Sequence, residues 1–174
     1  MKTRLLALVV ALFSFCAVNA QEKYALIDSE YILSKMPQYK AATENLQKQA
    51  EKFQKEIAAV QEKASAMYKE YLKERAKLSE QQRSAKEDAI VALEEKAQEL
   101  QQKYFGPKGE MATLQEKEVK PIQDGIYEAV KHISLRRGYV LVLDRATTQG
   151  VIFATPEIDI SNDVLKVLGV SVSR

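Results

Sequence analysis

Between about residue 38 and about residue 120, apolar residues recur at alternating spacings of three and four. No other feature constrains the fold of this chain so tightly. In the first half, Tyr39, Leu46, Phe53, Val60 and Met67 occupy one core position of a heptad, and Thr43, Ala50, Ile57, Ala64, Tyr71 and Leu78 the other. Only Glu74 puts a charge in these series, and the remaining positions are rich in Lys, Glu and Gln. This is the pattern of a helix that buries a narrow seam against a second helix. Ser79-Glu80-Gln81-Gln82 then has the form of a capping box, with a cap serine and a glutamine three residues on, so a new helix is expected to start there after a reversal near 78–80. The heptad resumes at Ile90, Leu93, Ala97, Leu100 and Tyr104. A helix of about 40 residues is roughly 60 Å long at 1.5 Å per residue. That exceeds what a small core requires, so function is expected to lie in the reach of this hairpin.

The return limb contains Gly106-Pro107-Lys108-Gly109, a helix-breaking sequence. Met111 and Leu114 nevertheless keep the phase of Ile90 and Leu93, which predicts a kink rather than a second reversal. Beyond Pro121 the stripe continues on a shifted register through Ile122, Ile126, Ala129, Val130 and Ile133, and Gly138 supplies a left-handed stop.

The flanks read differently. Lys23–Ile27 is a short run of strand formers, followed by Asp28 or Ser29 as the cap of a short helix; Pro37 is placed to start the long arm. Tyr139–Leu143 is a second strand, apolar on both faces, and Val151–Ala154 is expected as a third, its hairpin partner. Ser161 is expected to cap a last helix carrying Val164, Leu165 and Leu168 and closed by Gly169. The fold class is therefore mainly α with a small β body (α+β): a long antiparallel helical hairpin arm projecting from a small oligomeric β-sheet body. The body comprises residues 21–37 and 121–174, and the arm residues 38–120. A body of about 70 residues is marginal alone, and doubly apolar strands would leave open edges, so an obligate oligomer is expected. Leu26, Ile27, Leu141, Leu143, Val151 and Phe153 are the candidate oligomer-body residues.

The first twenty residues read as a secretory signal peptide, with a basic start at Lys2 and Arg4, an apolar run from Leu5 to Val18, and cleavage before Gln21. The run falls short of the roughly 20 residues of a membrane span, which argues against an uncleaved anchor. Phe15 before Cys16 argues against lipidation of that cysteine. Removing residues 1–20 takes away two of 26 basic residues and the only cysteine, leaving 24 basic against 24 acidic residues. No disulfide can form within such a chain, and no global basic field favours nucleic acid.

The strand followed by Asp28-Ser29-Glu30-Tyr31-Ile32-Leu33, the charged heptad hairpin and the ending Asp159-Ile160-Ser161-Asn162-Asp163-Val164-Leu165-Lys166 together resemble the OmpH-like (Skp) family of periplasmic chaperones. The resemblance covers nearly all of the chain beyond residue 20. It implies a periplasmic homotrimer, joined through a β-barrel-like body, whose three arms hold unfolded outer-membrane proteins without ATP. Gly106-Pro107, Pro121 and the near-zero net charge depart from the best-known members.

Near the tip, Lys69, Lys73, Arg75, Lys77, Arg83 and Lys86 stand against Glu70, Glu74 and Glu80. The favoured reading is a solvated, partly paired helix surface, and the second is weak contact with an anionic membrane surface or acidic client segments. Met67, Tyr68, Tyr71 and Leu72 form an apolar cluster that suits either hairpin packing or soft contact with unfolded chains. Met67 and Tyr71 lie on the seam, whereas Tyr68 and Leu72 lie beside it. His132, the only histidine, lacks metal-ligating partners at suitable spacing and reads as a surface residue. Asp28 and Asp144 end strands that are candidates for neighbours, and capping and turn formation explain both. No catalytic, metal or cofactor constellation is present, so no enzyme activity and no cofactor are expected. A coiled-coil structural or adaptor protein of the cell envelope is the alternative to the chaperone.

Overall fold

A computed structural model describes residues 23–171, so the expected signal peptide lies outside the described residues. The element order is β1 (Lys23–Ile27), α1 (Ser29–Lys35), α2 (Pro37–Glu74), a 3₁₀ turn (Arg75–Lys77), α3 (Glu80–Phe105), α4 (Glu110–Arg137), β2 (Tyr139–Asp144), a second 3₁₀ turn (Pro156–Ile158) and α5 (Ser161–Val167). The chain is mainly helical with a small two-stranded sheet, as the sequence predicts.

Helix α2 begins with Pro37 in its first turn, where a missing N–H costs nothing. At the far end Leu78 is extended, and Ser79 and Gln82 form the reciprocal capping box that starts α3. Phe53, Ile57, Ala64 and Tyr71 of α2, and Ile90, Ala97 and Tyr104 of α3, are buried along the seam. Helix α2 packs against α3 and also against α4, so the return limb continues along α2 past the glycines and the break is a kink. An aromatic plug stabilises it. The rings of Phe53 and Tyr104 stack at 4.0 Å, Phe105 meets Phe53 edge-on at 6.4 Å, and Leu100, Met111 and Leu114 pack around them.

The two glycines of the break are required sterically rather than conformationally, since both φ values are negative. A Cβ on Gly109 would lie 2.8 Å from the Tyr104 carbonyl oxygen and 2.9 Å from both the Gly106 nitrogen and the Lys103 carbonyl oxygen. A Cβ on Gly106 would overlap the Gln102 carbonyl. Pro121 lies inside α4 without ending it, and Val119, Ile126, Ala129 and Ile133 are buried on either side of it. Gly138 closes α4 in the left-handed conformation (φ 72°).

In the body, β1 and β2 pair in parallel, with Ala25 opposite Val142, Leu26 opposite Leu143 and Ile27 opposite Asp144. One face of this sheet, carrying Ala25, Ile27 and Val142, packs on Ile32 and Met36 and on Ile126, Ala129 and Ile133 of α4. Ile160, Val164 and Leu165 complete the core and are almost wholly buried. The C-terminal segment is fixed to β1 by a hydrogen bond from the Ile160 N–H to the Leu26 carbonyl (2.9 Å).

Two expectations are corrected. Val151–Ala154 is not a strand and forms no hairpin with β2. The chain after β2 stays with β1 instead. The Arg145 N–H donates to the Ile27 carbonyl (2.8 Å), and the Arg145 guanidinium pairs with Asp28 at 3.0 Å and reaches Asp159 at 3.7 Å. The Asp144 carbonyl accepts from the Thr148 N–H (2.9 Å), turning the backbone off the line of β2 before an antiparallel return can begin. Nor does Ser161 cap α5. It is the first helical residue, and its Oγ accepts from the Asp28 N–H (2.8 Å). The hydroxyl satisfies an otherwise orphaned donor at the start of α1, so it is not available to its own helix.

Asp28 and Asp144 finish neighbouring strands and act in capping and turn formation. Asp28 accepts from the Tyr31 N–H (2.8 Å) as the cap of α1. Asp144 accepts from the Ser29 N–H (3.0 Å) and hydroxyl (2.6 Å), the Ala146 N–H (3.1 Å) and the Thr147 hydroxyl (3.1 Å). Partial burial alone would raise its pKa. The bonds from Ser29, Ala146 and Thr147 outweigh that effect and hold it below the ordinary carboxylate value.

A depressed carboxylate pKa contributes stability that is present above the ordinary value and is lost as pH falls through the lower folded value. Asp144→Asn is therefore expected to cost about 1–3 kcal/mol near neutral pH and to flatten the acid limb of the stability profile, as measured by urea unfolding at stepped pH. Gly109→Ala is expected to destabilise by about 1–3 kcal/mol through overpacking, whereas Gly150→Ala, with nothing within 4 Å, should stay within about 0.5 kcal/mol of the parent. Thermal melts of the two variants side by side check this.

Candidate functional site

Two surfaces carry the candidate residues: the arm tip and the outward side of the body sheet. At the tip, Tyr71 is 4% exposed and closes the seam, with Met67 half-buried beside it. The Tyr71 hydroxyl donates to Glu87 of α3; this bond raises the tyrosine pKa most, and burial adds to it. Tyr68 and Leu72, one helical turn apart, lie beside the seam and are 50% and 51% exposed. The four residues thus divide, Met67 and Tyr71 serving the hairpin and Tyr68 and Leu72 facing solvent. Val91 on α3 is also exposed.

The six basic tip residues divide as well. Lys86 is engaged, with its Nζ 2.6 Å from Glu74 and 3.8 Å from Glu70. The bond between Lys86 and Glu74 raises the lysine pKa and lowers that of the carboxylate, each being the main cause for the other. Arg83 is partly buried, and its Nε has no hydrogen-bond partner among the described residues. Lys69, Lys73, Arg75 and Lys77 are exposed, and none forms an ion pair with another described residue. The tip therefore presents four solvated cations around a Tyr68–Leu72 apolar patch.

The six body candidates separate by the face they occupy. Ile27 belongs to the chain's own core, beneath α1 and α4. Leu26 points to the other face but is buried, in a cleft shared with Ala154, Thr155, Pro156 and Asp159. Its neighbours on that face are open, Leu141 at 47% and Leu143 at 36% exposure. Val151 is half-buried, and Phe153 stands in solvent at 83%. Sequence reasoning did not single out Val140 and Ile152, although both lie in runs it marked as strands. Ile152 is 99% exposed and Val140 also lies open. Residues 149–154 make no backbone hydrogen bond to β1 or β2, so this apolar segment is not part of the sheet.

His132 is exposed. Among the described residues, no group of His, Cys, Asp and Glu side chains could hold a metal ion, and no helix is long and apolar enough to cross a membrane. The arrangement offers contact rather than chemistry: small apolar patches set among solvated charges on a long lever, and an open apolar face at its base.

Residues 23–168 match the family model described as outer membrane protein (OmpH-like). A comparison with curated proteins finds no match. Members of this family are periplasmic chaperones of outer-membrane proteins rather than enzymes. With nearly the whole described chain inside the match, the protein belongs to the OmpH-like family.

Proposed function

We propose that the protein is an ATP-independent holdase that binds unfolded outer-membrane proteins between helical arms, as a homotrimer joined through its body. It would act in the periplasm after cleavage before Gln21. On this reading residues 21–37 and 121–174 form the body, and residues 38–120 the arm with its tip near 78–80. The observation that carries the reading is the open outer face of the body sheet. Leu141, Leu143, Ile152 and Phe153 are exposed at the base of an arm whose longer helix has 38 residues, about 57 Å at 1.5 Å per residue. A two-stranded sheet is too small to be stable with one apolar face in water, and further copies of the chain would cover it.

Joining the bodies sets several arms side by side. The exposed Tyr68 and Leu72 on each arm would make contacts that are individually weak, and simultaneous engagement multiplies them. Soft contacts of this kind suit clients that share no sequence, and no nucleotide is needed to form or release them. The solvated cations Lys69, Lys73, Arg75 and Lys77 would keep the tips apart and add a salt-sensitive attraction for acidic client segments or an anionic membrane surface.

The test is light scattering on a sizing column, with the mature protein mixed with an outer-membrane β-barrel diluted from urea. A soluble species of three chains and one client is the expected outcome. A monomer would overturn the body assignment. A trimer that leaves the client in the aggregate would favour the envelope adaptor, which binds a folded partner at fixed stoichiometry.

A further inference from the structure

Midway along the arm, the seam narrows to two alanines. Ala64 of α2 and Ala97 of α3 are both buried, 5% and 6% exposed, and form the floor of a groove of about 530 Å³. Tyr68, half-exposed, lines one end of it, and the exposed Gln61, Gln98 and Gln101 form the rim. Cross-helix ties bracket this stretch, from Tyr71 to Glu87 on the tip side and at the Phe53–Tyr104 stack on the body side. The rim amides, by contrast, make no hydrogen bond to any other described residue. Glu94 is the one charged side chain lining the groove, in a chain in which 29% of residues are charged.

We propose that this groove is a subsite for an extended segment of unfolded polypeptide, with the rim glutamines pairing with the client backbone and an apolar client side chain seated over Ala64 and Ala97 against the Tyr68 ring. The chemistry selects this occupant. Each glutamine amide carries both a donor and an acceptor, the complement of a peptide N–H and C=O. A phosphate or lipid headgroup would require cations, and none lines the groove. The small floor admits side chains of any shape, and backbone pairing is indifferent to sequence. The groove shares Tyr68 with the exposed tip patch, so a bound segment would run on from one to the other. This inference rests on the holdase reading and assigns part of its client contact to the arm midpoint.

The experiment measures the affinity of the full mature protein for a fluorophore-labelled, urea-unfolded outer-membrane β-barrel, comparing the parent with Gln61→Met, Gln98→Met and Gln115→Met. Methionine keeps the length and neutrality of glutamine, removes the amide and adds apolar surface. Gln115 is an exposed α4 residue away from the groove and serves as the control. If backbone pairing holds the client, each groove variant should weaken binding about fivefold, while Gln115→Met does not. If the arm offers only apolar contact, the groove variants should bind equally well or more tightly, and the subsite is then refuted while the holdase stands. A parent protein that retains no client at all overturns the holdase reading, and the subsite with it.

Discussion

Parallel pairing of β1 with β2 is the constraint on which the rest of the architecture depends. Two parallel strands cannot be joined by a tight turn; the chain must leave one end of the sheet and return to the other. Here the crossover is the arm itself, so the projecting hairpin and the closed body are two results of one topological requirement. The body is tied where the crossover begins and ends. Ser29 donates twice to Asp144, and Ser161 accepts from the Asp28 N–H, bringing residues from three distant parts of the chain to one point at the edge of the sheet. Part-burial, capping and charge pairing act together there.

Along the arm, cohesion is concentrated rather than uniform. A buried tyrosine lies near each end of the α2–α3 pairing, each influenced by a carboxylate on the opposite helix: Tyr71 donates to Glu87, and Glu56 raises the pKa of Tyr104. For both tyrosines that carboxylate is the main cause of a raised pKa, so they stay protonated throughout the physiological range. Between these stations the buried Ile57 and Ile90 flank two small residues, Ala64 and Ala97, over which the groove opens. The arm is thus held at two aromatic points and leaves its polar amides uncommitted in the interval.

How much of this could be read from the sequence follows the distance over which each interaction acts. The heptad seam, Pro37 at the start of α2, the capping box at Ser79 and the stop at Gly138 are local, and the structure contains each of them. The resemblance carried by the two ends of the chain is met by the family match over residues 23–168. What failed was non-local. Val151–Ala154 has the composition of a strand, but a hairpin requires the chain to return antiparallel, and Arg145 commits it to β1. Ser161 has the identity of a cap, yet its hydroxyl is taken by Asp28, 133 residues away. The Phe53–Tyr104 plug was legible as two heptad positions but not as a stack, because helix pairing across the tip sets the stagger. The amide-rimmed groove was invisible for a related reason: glutamines at outer heptad positions look like any solvated surface until the facing helix brings theirs alongside.

The long crossover also orders events in time. Ser29 and Asp144 are separated by 115 residues, so the pairing of β1 with its partner strand must wait on the closure of a long loop. The hairpin contacts have no such wait, because each pair is nearer in sequence the closer it lies to Ser79, and the seam can zip from the tip towards the body. Zipping brings the start of α2 up to the middle of α4, where Met36 and Ile122 share the body core. A search over a loop of more than a hundred residues thereby becomes the closure of a few, and the arm serves as the template on which its own base is assembled.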